Sequence, residues 1–137
     1  MTEYKKIKVI SENGDVKNIL LEISTQYPWF VNIIHPEKWA RRYEAPDLFS
    51  AFQTMHLALE KEGIRFLCIG ARPDIMASGM SRNMSGGRKV YVIRQGEQAD
   101  RRNIVDIFDH APPDRTGTVQ QQRDFATRWL ASLTHRQ

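Results

Sequence analysis

Eighteen residues, Ala71 to Arg88 (ARPDIMASGMSRNMSGGR), constrain the fold of this chain more than any other stretch. They separate two apolar runs, Ile64–Gly70 and Lys89–Ile93, and show the period of neither a strand nor a helix. A connection this long is uncommon inside a compact domain unless it binds something or is disordered. Its charge is one-sided. From Ile64 to Arg94 the basic residues are Arg65, Arg72, Arg82, Arg88, Lys89 and Arg94, and the single acid is Asp74. The balance there is +5, whereas the whole chain carries +4, which leaves −1 for everything else. The segment therefore reads as a basic binding loop presented by two core strands.

The flanking sequence supplies the scaffold. Tyr4–Ser11 sets Ile7 and Val9 on one face and lysines on the other, and Val16–Ile23 resumes as a second strand. Asn13-Gly14 between them is a strong hairpin signal. Ser24–Ala45 is less regular. It holds the aromatic run around Tyr27, Trp29 and Phe30, then Pro36 at the start of a short expected helix burying Trp39, Ala40 and Tyr43. These aromatics suit core packing beneath a long loop, or the lining of a pocket or interface.

Asp47–Glu62 has the clearest helical spacing, with Leu48, Phe52, Met55 and Leu59 on one stripe, Asp47 as N-cap and Gly63 as the stop. Ile64–Ile69 follows as a strand. After the central segment, Lys89–Arg94 and Asn103–Phe108 read as strands, and Pro112-Pro113 breaks the chain. Thr118 and Gln121 have the form of a capping box. The helix they open runs to about Leu133, burying Phe125, Ala126, Trp129, Leu130 and Leu133, with His135–Gln137 as a frayed tail. The expected class is α+β: an antiparallel or mixed sheet of about five strands with two main helices packed on it, in a single domain over residues 1–137.

Several function classes lose support at this level. No apolar run reaches the roughly 18–20 residues of a membrane-spanning helix, and the N-terminus lacks the apolar core of a secretory leader, so the expected partners exclude a membrane. The lone Cys68 cannot form an internal disulfide and sits in an apolar run, which suits a buried, inert thiol in a reducing cytoplasm. His35, His56, His110 and His135 show no zinc spacing, so neither a metal nor another cofactor is expected. Asp106, Asp109, His110 and Asp114 form an acid–histidine group, but turn-forming acids before Pro112-Pro113 account for them. Ser78, Ser81 and Ser85 lack a nucleophile elbow, leaving no catalytic residues to assign.

Chemistry in the central segment points to recognition. Gly79, Gly86 and Gly87 would let backbone N–H groups turn inward as an anion-binding nest, although no Walker-type Gly-Lys-Ser/Thr follows them. Arg72, Arg82 and Arg88 suit bidentate contacts to carboxylate or phosphate. With Ser78, Ser81 and Lys89 they form the candidate partner-binding set. Met76, Met80 and Met84 recur every four residues. On a helix they would offer an adaptable apolar face, but Gly79 argues for methionines tucked individually against the domain.

The motifs LCIGARPD (Leu67–Asp74), SGMSR (Ser78–Arg82) and MSGGRKVY (Met84–Tyr91), with weaker echoes in Asp106–Asp109 and Arg128–Leu133, cover about half the chain. They resemble small bacterial immunity proteins of contact-dependent growth inhibition and other polymorphic toxin systems. The resemblance implies a cytoplasmic antitoxin that binds a cognate toxin C-terminal domain, such as a nuclease, and occludes its active or substrate-binding surface without catalysis. It carries over no catalytic residues. It also leaves room for arginines and glycines that hold the fold while the partner is met elsewhere, for instance at Tyr27–Tyr43. Two other readings stand beside it: a small phosphate- or nucleic-acid-binding module using the basic loop 71–89, and an enzyme for a small anionic substrate where that loop meets Asp106–His110. For the nucleic-acid module, the loop lacks the stacking aromatics expected, apart from Tyr91 on the adjoining strand.

Overall fold

Alternating strands and one strongly apolar helix build the first half. The computed structural model describes residues 1–100 and 102–134; the expected frayed tail lies outside the described residues. β1 (Thr2–Ser11) and β2 (Val16–Ser24) form the hairpin foreseen at Asn13-Gly14, with Gly14 at φ +90°. β3 (Phe30–His35) and β4 (Arg41–Glu44) extend the sheet on one side, and β5 (Ile64–Phe66) on the other. The order is β4-β3-β2-β1-β5, every neighbour antiparallel.

Odd-numbered residues of β1 and β2 face inward. Ile7, Val9, Ile19, Leu21 and Ile23 are buried with Val31 and Ile33 of β3, while Lys6 and Lys8 face outward. α1 (Leu48–Glu60) lies on the inner face, burying Leu48, Phe52, Met55 and Leu59, and the Asp47 carboxylate accepts the Ser50 N–H at 2.7 Å.

The second half makes a separate three-stranded sheet in the order β6-β7-β8, from β6 (Ile75–Met76), β7 (Lys89–Val92) and β8 (Ile104–Asp106). One cluster of buried residues runs through both sheets, because Ile75, Val90, Ile107 and Phe108 join Phe52 and Phe66. α3 (Val119–Thr134) closes the chain, opened by the reciprocal capping box: Thr118 N–H to Gln121 Oε1 at 2.8 Å and Gln121 N–H to Thr118 Oγ1 at 3.1 Å.

The α+β class with two principal helices stands, but several elements differ from the sequence reading. Pro36 precedes a single 3₁₀ turn, Glu37–Trp39, and the residues around it are the strands β3 and β4. Trp39, Ala40 and Tyr43 thus share no helix face: Tyr43 is buried on β4, whereas Ala40 is exposed. On α3 the buried face passes through Val119, Gln122 and Trp129, which leaves Leu130 exposed. Gln122 makes that face polar, and helical periodicity of apolar residues cannot register it. Its side-chain amide donates to the carbonyls of Gly70 and Arg72 at 2.7 and 3.0 Å.

The largest correction concerns 71–88. The segment is not an irregular loop: it contains the 3₁₀ turn Ile69–Ala71 at its entry, β6, and the helix α2 (Gly79–Ser85). Elements this short escape a periodicity search, which needs 11 or so residues to register a repeat.

Candidate functional site

α2 is a seven-residue helix between two signals written in the sequence. Ser78 caps its start, accepting the Ser81 N–H at 3.0 Å, and Gly86 ends it in the left-handed region at φ +65°. Gly79 occupies the first helical position, where an added Cβ would meet open space, so it does not prevent the helix.

The end of α2 is seated on the start of α1. The Gly86 carbonyl accepts N–H groups from Leu48 at 2.6 Å and Phe49 at 3.0 Å, filling donors that a helix N-terminus ordinarily leaves open. Arg82 reaches the same end, donating from Nη1 to Asp47 Oδ2 at 2.8 Å and to Ser50 Oγ at 3.1 Å. Close approach explains both glycines. A Cβ on Gly86 would sit 2.7 Å from the Trp29 indole, and one on Gly87, at φ +81°, would sit 2.8 Å from Phe49 Cβ. The N–H groups of Gly86 and Gly87 both turn back to the Ser81 carbonyl. The anion-binding nest expected from the glycine run is therefore occupied by the chain itself.

The arginines behave alike. Arg72 forms a two-bond fork on Asp74 at 2.8 and 2.6 Å, and this hydrogen bonding raises its pKa above the ordinary arginine value. Arg88 lies over the Phe108 ring, donates from Nε to Asp106 at 2.9 Å, and holds both oxygens of Glu3 at 2.7 and 3.3 Å. Burial opposes the Arg88 charge, but the hydrogen bonds to Glu3 and Asp106 outweigh it and leave its pKa raised. The same hydrogen bond holds the Glu3 carboxyl below its usual range. Asp47, Glu3 and Asp106 come from three other parts of the chain, so the +5 excess of the segment is largely neutralised in space. A phosphate at Arg72, Arg82 or Arg88 would have to displace a carboxylate already in place.

Of the six candidates, Ser81 and Lys89 border an open surface, whereas Ser78 is spent as the cap of α2. Ser81 Oγ donates to the Lys89 carbonyl, and Ser85 Oγ donates to the Ser81 carbonyl at 3.1 Å, fixing α2 beside β7. Lys89 Nζ lies 3.8 Å from Asp106 with its side chain 55% exposed. Between α2 and the β7–β8 pair lies a largely apolar groove of about 320 Å3, lined by Met80, Ser81, Ser85, Lys89, Tyr91 and Ile104. Met80 is 55% and Ile104 46% exposed, which is unusual for side chains that large and apolar. Tyr91 and Ile104 meet because they are register partners across β7 and β8. Sequence reasoning missed this pair, though two strands consecutive in the chain were its available signal. Met76, on β6, is the register partner of Tyr91 on its other side but does not line the groove, and the Met84 side chain lies outside the described residues.

Elsewhere, Asp106 also accepts the Phe108 N–H at 2.9 Å, and Asp109 pairs with Lys5 at 3.7 Å. No group of three or more His, Cys, Asp or Glu side chains positioned for a metal occurs among the described residues. Burial pushes the Cys68 thiol up to about 12, far from a reactive thiolate. No described helix is long and apolar enough to cross a membrane. No protein-family model matches the sequence, and a search of curated proteins finds no match to it.

Proposed function

We propose that this chain is a cytoplasmic immunity protein that neutralises a cognate toxin domain by covering its active or substrate-binding surface, and that it meets the toxin through the α2–β7–β8 groove. The observation that carries the reading is the exposed apolar pair Met80 and Ile104 flanking Tyr91, with Lys89 at the rim. An apolar centre with a polar and charged rim is the usual anatomy of a protein interface. Methionine, unbranched and polarizable, adapts to a partner's shape. Lys89 favours a toxin surface with an acid next to its apolar contact, such as the carboxylates of a metal-dependent nuclease. Inhibition of this kind needs occlusion and no bond-breaking step. The motif resemblance supplies the toxin as partner; the arginines and glycines of those motifs hold α2 against α1 and so shape the groove.

The reading expects a toxin C-terminal domain to be encoded beside this gene, and the test is co-expression with that domain, paired with calorimetry on the purified domains. The parent chain rescues growth, and Met80→Asp with Ile104→Asp abolishes rescue. Each substitution weakens binding by about 30-fold if it removes a contact worth about 2 kcal/mol. A toxin that still kills in the presence of abundant parent chain refutes the immunity reading. Rescue that survives both substitutions moves the interface off this groove.

A further inference from the structure

The strand β1 is covered along only part of one edge. β5 pairs with it from Val9 to Ser11, and one further bond runs from the Leu67 N–H to the Lys8 carbonyl at 2.9 Å. From Thr2 to Ile7 no described strand lies beside that edge, while the opposite edge is paired with β2 throughout. The bond at Lys8 shows which way its main chain points. By the two-residue alternation of a strand, the N–H and C=O groups of Tyr4 and Lys6 point the same way. After Leu67 the chain diverges from β1 and bridges instead to His110, with Ile69 N–H bonded to the Asp109 carbonyl and Ala111 N–H to the Leu67 carbonyl. The divergence opens a cleft of about 390 Å3 between β1 and the Phe108–His110 turn.

The walls of that cleft carry mostly positive groups. Lys5, Lys6 and Lys8 line one side, and Asp109 and His110 the other. Lys5 is 3.7 Å from Asp109, but Lys6 and Lys8 form no ion pair among the described residues. Both project from the outer face, where no helix covers the sheet, next to the 63% exposed Tyr4.

We infer that this cleft is a second binding site, independent of the α2 groove, and that it takes an extended acidic segment of a partner protein as an added strand on β1. The open main-chain groups of Tyr4 and Lys6 give such a segment its hydrogen bonds, and its alternate side chains then face Lys6 and Lys8. Acids at every second position therefore match the outer face. The intervening residues point toward Phe108 and the Lys5–Asp109 pair, where small or apolar side chains fit. A single-stranded nucleic acid is the weaker occupant, because Tyr4 alone offers a stacking surface beside the lysines.

The experiment titrates the full-length, nitrogen-15-labelled chain with a blocked eight-residue peptide of alternating glutamate and threonine. Amide shifts are expected at Tyr4, Lys6, Lys8 and Phe108–His110, with those of Met80 and Ile104 unmoved. Exchange of the Tyr4 and Lys6 amides slows, and Lys6→Glu with Lys8→Glu weakens binding more than tenfold. The same peptide N-methylated at alternate residues, so that its edge donors are gone, no longer binds, and this arm leaves the protein unaltered. Absence of shifts at β1 overturns the site and leaves the lysines as guards against edge-to-edge aggregation. Equal binding by the N-methylated peptide, by a lysine–threonine peptide, or tighter binding by a single-stranded oligonucleotide at the same amides also overturns it.

Discussion

The two sheets are held by different forces. In the five-stranded sheet, cohesion is apolar and local: hairpin-linked strands alternate, and Ile19, Leu21, Ile23, Val31 and Ile33 fill the space beneath α1. In the three-stranded sheet the strands are only two to four residues long, too short to bury much by themselves. Beyond the shared apolar cluster, its position depends on polar and steric ties from α2 and the start of β7 to residues far away in sequence: Arg88 to Glu3, Arg82 to Asp47, and Gly86 against Trp29. A sheet of long strands carries its own stabilisation, whereas a sheet of short ones borrows it.

Substitutions can break or sharpen that contrast. The largest effect is expected at Phe52, whose ring packs on Phe66 at 5.3 Å and Phe108 at 5.9 Å and so joins the two sheets. Phe52→Ala should cost about 3–5 kcal/mol in urea unfolding, in one cooperative transition. Two separate transitions would mean that the sheets unfold independently. Next comes Gly86→Ala, expected to cost about 3 kcal/mol, from about 1–2 for the left-handed backbone and the rest from the Trp29 contact. Gly96 has φ +78° with nothing within 4 Å, so Gly96→Ala isolates the backbone part. Equal losses at both positions would remove the Trp29 contact from the account.

Arg88→Met should cost about 2 kcal/mol, because it leaves the mostly buried Asp106 without its main partner. Lys89→Met, which touches the same carboxylate from an exposed position, should change stability by about 0.5 kcal/mol or less. If the two variants match, the buried fork is not what fixes β7 to β1.

A smaller effect concerns His56, fully buried on α1 with Nε2 3.1 Å from the Gly117 carbonyl and 3.3 Å from Glu60 Oε1. Burial outweighs the attraction of Glu60 and lowers its pKa below 6.5. The unfolded chain therefore binds the proton first, and the stabilisation, complete above pH 6.5, is lost as pH falls toward the folded value, by at most about 1.4 kcal/mol per unit. Comparing parent and His56→Gln across pH 7 to 5 should show this slope only in the parent. Opposite in sign is Gly79→Ala, which should stabilise by about 0.5–1 kcal/mol by improving α2 where a Cβ meets no atom.

The difference between the sheets also governs what could be read in advance. The β1–β2 hairpin, α1 with its Asp47 cap and the Thr118–Gln121 capping box all depend on neighbours within a few residues, and all were legible. β3 and β4 were hidden because the aromatic and proline-rich stretch 27–43 has no clean alternation, and α2 because seven residues fall below the length at which a helical period registers. The candidate site was legible as a stretch but not as a surface. Ser81 and Lys89 line the groove, yet Met80, Tyr91 and Ile104 supply its character.

The central segment shows where that boundary lies. By itself the sequence determined the ends of α2, through Ser78 and Gly86, because capping and left-handed backbone are local matters. It also fixed that the segment carries a cationic excess. Only the tertiary structure decided what the cations do. Glu3, Asp47 and Asp106 reach Arg88 and Arg82 through chain crossings, and Coulombic pairing depends on distance in space, to which separation along the chain is no guide. What reads in one dimension as an open basic loop is, once folded, an internally paired brace.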